Sequence, residues 1–145
     1  PNCSELALAR DLAAYGAKLS PTIAGDNDPP FDDTYRDYLA YLNVLAGVDV
    51  EHGLAHFTRK AEAGAEEGYQ FPAEVLVNLY LRLDRPQDAL TVARKFLADA
   101  DDRPMSCPGV TELARKVGDY DAVTEAARGK SDAVGFLAGL IAGRG

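Results

Sequence analysis

A helix–turn–helix pattern that recurs about every 34 residues constrains this chain more than any other feature. Three turn-and-second-helix segments align: Val50-Glu51-His52-Gly53-Leu54-Ala55-His56-Phe57, Pro86-Gln87-Asp88-Ala89-Leu90-Thr91-Val92-Ala93 and Gly118-Asp119-Tyr120-Asp121-Ala122-Val123-Thr124-Glu125. The small residues Gly53, Ala89 and Ala122 lie 36 and 33 residues apart. Such a period implies helix pairs that bury their apolar faces against neighbouring pairs.

The local signals predict about eight helices. The first is expected over Ser4–Lys18, with Leu8, Leu12, Tyr15 and Leu19 on its buried side and Pro21 preventing continuation. A Pro- and Asp-rich segment, residues 20–32, reads as an ordered surface loop pinned by Ile23 and Phe31. Asp32 or Asp33 is expected to cap helix two, which Gly47 ends, and Asp49 to cap helix three. Pro72 opens helix four, and Asp84 with Gln87 has capping-box spacing before helix five. Pro108 and Gly118 bracket helix six, Tyr120–Arg128 is helix seven, and Ser131 caps helix eight. No segment alternates long enough to claim a strand. The expected fold is all-α, an α-solenoid of antiparallel hairpins in one domain. Residues 1–31 form an N-terminal helix and loop, and residues 32–143 form three repeat-like hairpins plus a capping helix.

From Phe71 to Ala100 the chain resembles a tetratricopeptide repeat, with Leu76, Tyr80, Ala89 and Phe96 in that motif's layout. Val77 stands where the family prefers glycine or alanine, which implies looser packing of the pair. Ala40, Gly53 and Phe57 suggest a degenerate copy, and Gly118-Asp119-Tyr120-Asp121 a shortened one. The resemblance spans roughly residues 33–143 and implies a concave groove, lined by first helices, that binds a peptide or protein. Its partner-binding residues would be Tyr38 and Leu42 on helix two and Glu74, Asn78 and Arg82 on helix four. One subgroup clamps a terminal carboxylate with Lys, Asn and Arg. Glu74 stands where the lysine is needed, so that clamp is not carried over.

Composition narrows the partner. The 145 residues suffice for one core, and 23 acidic against 15 basic residues leave a net charge of −8. That balance repels nucleic-acid phosphates and anionic membrane surfaces and favours a neutral or basic protein partner. The longest apolar run, Ala133–Ala142, is half the roughly 20 residues a membrane span requires. Two cysteines, Cys3 and Cys107, do not make a disulfide framework, so two unpaired thiols are expected; localisation stays open, with the cytoplasm favoured over other compartments. The first residue, Pro1, suggests a processed form or a piece of a longer protein, so a missing leader says nothing of location.

Other constellations compete with the groove. His52 and His56, four apart on helix three, can share one face and reach one metal ion, but two ligands do not close a site. Asp26, Asp28, Asp32 and Asp33 crowd a loop without EF-hand spacing, so no calcium or other cofactor is expected. Tyr35, Tyr38 and Tyr41 spread around helix two, and at least one is expected in the core. Gly135, Gly139 and Gly143 form a smooth stripe, expected to pack on helix seven; the alternative is that Phe136, Leu137, Leu140 and Ile141 on helix eight dock a missing domain or a second copy, a self-association. Phosphate loops, nucleophile elbows and paired-cysteine motifs do not occur. A non-catalytic interaction scaffold is therefore expected. The alternatives are a metal- or small-molecule-binding protein using His52 and His56, or a unit that only positions an attached enzyme.

Overall fold

The computed structural model describes residues 3–23, 31–98, 104–129 and 131–144. The protein is all-α: α1 (Cys3–Ile23), α2 (Phe31–Leu45), α3 (Val50–Glu67), α4 (Phe71–Arg82), α5 (Pro86–Phe96), α6 (Val110–Val117), α7 (Tyr120–Gly129) and α8 (Ala133–Ala142). No strand occurs among the described residues. The chain divides into two compact units, residues 1–60 and 61–145, and the division falls within α3.

One turn geometry recurs between these helices. After α6, Gly118 adopts a left-handed φ of 76°. Its N–H donates to the Arg115 carbonyl, and the Asp119 N–H donates to the Ala114 carbonyl at 2.9 Å. This pair of bonds satisfies carbonyls that a helix end otherwise leaves without donors. Asp84 repeats it after α4 and Ser131 after α7, each at φ 56°. There the following N–H groups donate to Tyr80 at 2.9 Å and Ala127 at 2.8 Å. Gly47 closes α2 the same way, through Val48 N–H to the Asn43 carbonyl at 2.9 Å. Glycine reaches this φ without steric cost, and Asp is among the few side chains that tolerate it.

In the first unit α1 packs on α2. Ala13, Ala40, Val44, Leu54 and Phe57 are buried. Gly16 lies under the Tyr35 ring, where a Cβ would come within 2.5 Å of a ring carbon. Gly53 meets α2 as tightly: a Cβ there would sit 2.5 Å from Val44 Cγ2 and 2.9 Å from the Ala40 carbonyl oxygen. The Arg10 Nε donates to Asn43 Oδ1 at 2.8 Å, adding a polar link between α1 and α2.

Two expectations for α1 are corrected. Its backbone stays helical through Pro21 to Ile23. A proline in the last turn removes only one donor, because few bonds remain beyond it. Its apolar stripe is not the buried side. Leu8, Leu12 and Tyr15 are 60, 61 and 62% exposed, whereas Ala13 is buried and Ala9 and Gly16 half-buried. The face carrying the small residues 9, 13 and 16 is turned inward, and Gly16 makes room for the Tyr35 ring of α2. The Ile23–Phe31 pinning and the Asp26–Asp28 cluster lie outside the described residues, as do the side chains of Leu19, Asp32 and Asp33. Helix α2 starts at Phe31, which puts Asp32 and Asp33 inside its first turn rather than before it.

In the second unit each helix from α4 to α8 packs on the next. The core joins Ala61, Ala73, Val77, Ala89, Ala93, Leu97, Cys107, Leu113, Ala114 and Val123. Ala89 and Ala93 are wholly buried where α5 crosses its neighbours, and Val77 is wholly buried too, so no solvent gap opens at that position. Two caps differ from expectation. Arg85, not Asp84, precedes α5, and its Nε donates to Asp88 Oδ2 at 2.6 Å instead of a capping box forming. Asp132, not Ser131, caps α8 and accepts from the Gly135 N–H at 2.9 Å. Helix α6 begins two residues beyond Pro108, with Gly109 before its first turn.

Asp119 joins three elements. Its Oδ1 accepts from the Ala122 N–H at 3.0 Å at the start of α7, and its Oδ2 pairs with the Arg94 guanidinium of α5 at 2.7 Å. The Ala122 bond first, and the Arg94 bond second, hold this carboxyl below its ordinary 3.8. A depressed folded value favours the folded state above the unfolded value, and that contribution fades as pH falls through the folded one. Asp119→Ala is expected to cost about 1 kcal/mol near neutrality, the usual worth of a cap. In urea titrations at stepped pH, the gap from wild type holds down to about pH 4 and closes below it.

Candidate functional site

The paired histidines are placed by the seam between α2 and α3. His52 is exposed, while His56 is half-buried and turned toward α2. Its Nε2 lies 2.6 Å from Asp37 Oδ1, and the Lys60 ammonium lies 2.7 Å from Asp37 Oδ2. One carboxylate thus links two donors of α3 spaced four apart. The nearby ammonium disfavours a cation at this carboxylate. Among the described residues, no group of three or more His, Cys, Asp or Glu side chains is placed to hold a metal ion. The His56 ring is engaged in a helix-to-helix contact rather than paired with His52.

The helix-four residues separate by environment. Arg82 is exposed, and Asn78 is half-buried with its amide donating to the Ser106 carbonyl at 3.0 Å. Glu74 is only 7% exposed. Its Oε2 accepts from the Ser106 N–H at 2.9 Å and from the Ser106 hydroxyl at 2.6 Å. The segment entering α6 therefore lies over this part of α4 and occupies its polar groups. This corrects the assignment of Glu74 to an open binding face: its carboxylate anchors the protein's own backbone. A buried carboxylate is costly unless hydrogen-bonded, and Ser106 meets that need. The spacing of Glu74 and Asn78, one turn apart, placed both on one side of α4, but no motif pointed to Ser106 as their partner.

On α2, Tyr38 is 59% exposed, and Leu42 and Tyr41 are half-buried. Tyr35 is less exposed than Tyr38, its ring resting against Gly16. The first unit therefore presents Tyr38 on α2 and Leu8, Leu12 and Tyr15 on α1. The last three repeat at i, i+4 and i+7, a single helical stripe. The sequence marks this stripe as a buried side because its spacing is that of a core face. The competing signal was the parallel run Ala9, Ala13 and Gly16, small residues at the same spacing one position on.

At the other end, Gly135 and Gly139 are buried against α7. A Cβ on Gly139 would lie 2.5 Å from Thr124 Oγ1 and 3.2 Å from the Thr124 nitrogen. Among the described residues no helix is long and apolar enough to cross a membrane. No protein-family model matches the chain, and no curated protein or solved structure shows a significant match to it.

Glu74→Ala leaves the Ser106 N–H without its acceptor and is expected to cost about 1–3 kcal/mol. Arg82→Ala, on the exposed part of the same helix, is expected to stay within about 0.5 kcal/mol of wild type. Urea denaturation of the two variants measures both.

Proposed function

We propose that the protein is a non-catalytic helical-repeat module that binds a peptide or protein segment. The observation that carries this reading is the Leu8, Leu12 and Tyr15 stripe of α1, which the fold leaves in solvent. Fully burying one large apolar side chain is worth about 1.5–3 kcal/mol. Three such residues at 60–62% exposure hold several kcal/mol in reserve for a partner. Tyr38 extends the same chemistry to α2, since tyrosine offers contact area at small entropic cost. Leu42 and Arg82 remain candidate contacts, each on its own unit. Asn78 keeps a secondary place because Ser106 already draws on its amide. The net charge of −8 favours a neutral or basic partner.

The tetratricopeptide-like reading is part of this proposal. Serial packing from α4 to α8 supports it, as do the repeated left-handed turns and the fully buried Ala89 at the helix crossing. Proteins of that kind use exposed helix faces to hold extended or helical peptides.

The test is a binding screen of the full chain against amphipathic peptides of neutral and basic charge, with titration of the ligands found. Leu12→Glu and Tyr38→Ala are each expected to weaken binding about tenfold or more, as central contacts of an interface do. Acidic analogues of the same peptides are expected to bind less. Unchanged affinity in both variants, with their helicity retained, overturns the assignment of this surface.

A further inference from the structure

The turn from α3 to α4 carries two aromatic rings that the fold leaves in water. Tyr69 is 56% exposed and Phe71 55%. Their ring centres lie 6.3 Å apart, with the planes tilted by 38°. The backbone beneath them is tightly held. Gly68 takes a left-handed φ of 73°, and the Tyr69 N–H donates to the Gly64 carbonyl at 2.7 Å. Gly64 has no room for a Cβ against the Tyr69 carbonyl oxygen. Pro72 fixes the other side, in the first turn of α4. Rings mounted on a fixed backbone lose little freedom on contact.

Charge at this turn is unbalanced. Glu66 and Glu67 end α3, both exposed, and its last turn has no basic residue. Carboxylates at the negative end of a helix dipole are disfavoured, and a cation there relieves them. Neither carboxylate has an ion-pair partner among the described residues. Elsewhere in the same unit, a ring with a carboxylate beside it holds a cation. The Lys95 ammonium lies 2.8 Å from Glu62 Oε1 and 4.7 Å from the centre of the Phe96 ring. The Arg85 guanidinium lies 4.9 Å from the centre of the Tyr80 ring, and its Nε meets Asp88 Oδ2 at 2.6 Å. Tyr69 and Phe71 with Glu66 and Glu67 bring the same two chemistries to one turn. No cation of the described residues lies over either ring.

We infer that this turn is a recognition surface for the cationic side chain, arginine or lysine, of a basic protein segment. The negative faces of the rings attract the cation, and the two carboxylates at the helix end supply the opposite charge. The net charge of −8 draws such a segment toward the surface. The site belongs to the second unit and is independent of the α1 stripe proposed for peptide binding.

Nuclear magnetic resonance titration of the full chain, at low salt, with a peptide of alternating glycine and arginine tests it. Saturable shifts are expected, largest at the amides of Glu66 to Phe71, and none with glutamine in place of arginine. The double variant Tyr69→Leu, Phe71→Leu keeps apolar area and net charge but removes both ring faces. It is expected to weaken binding about fivefold or more, with circular dichroism unchanged because both side chains are exposed. Glu66→Gln with Glu67→Gln is expected to weaken it comparably. Glu112→Gln with Glu125→Gln, the same charge change on α6 and α7, is expected to alter it less than about twofold. The inference is overturned by an absence of saturable shifts, by shifts centred elsewhere, or by equal affinity for the glutamine peptide. Wild-type affinity in the leucine variant also overturns it, as does a loss in the α6 and α7 variant equal to that of the Glu66 and Glu67 variant.

Discussion

Helix crossings too close for a Cβ set the terms for the rest of this structure. Gly53 meets the Ala40 carbonyl and Val44 on α2, Gly16 lies beneath Tyr35, and Gly139 faces the Thr124 backbone. Ala89 and Ala93 fill the comparable place on α5 with no solvent access. Where a helix turns its small residues inward, its backbone comes near its neighbour and the dispersion contacts multiply. Its larger side chains are then displaced to the flanks. This is why Leu8, Leu12 and Tyr15 stand in water on α1, and why Val134, Leu137 and Ile141 do so on α8. The same packing rule that holds the helices together creates the two apolar surfaces.

Turns complete the arrangement. A left-handed residue followed by an N–H that reaches back five residues lets the chain reverse without orphaned carbonyls. Gly47, Asp84, Gly118 and Ser131 each do this, although only two of them are glycine. Asp119 adds a charged link by capping α7 while holding Arg94 of α5. Glu74 does similar work around the segment that leads into α6. In both places a carboxylate supports backbone geometry.

Helix count, order and most boundaries were legible in the sequence because glycine and proline punctuate it strongly. Gly47, Gly118 and Pro72 end or start helices where their chemistry requires. Faces were less legible. Helical spacing identifies a stripe, but on α1 two stripes of equal period compete, and only packing decides between large and small. The left-handed conformations of Asp84 and Ser131 were hidden because both residues read as helix caps. The place of Glu74 was hidden for a different reason. Ser106 is 32 residues away in sequence, and no local pattern encodes that bond.

The close-crossing account makes a prediction of sign at Gly53. Helix propensity alone favours alanine over glycine there by about 1 kcal/mol. The added Cβ, however, would press on a β-branched side chain and a backbone oxygen that have little room to yield. Overpacking of this kind costs roughly 1–3 kcal/mol. Equilibrium unfolding of Gly53→Ala compares the two effects directly. The account predicts a net loss of stability, and a variant more stable than wild type by the propensity increment would contradict it.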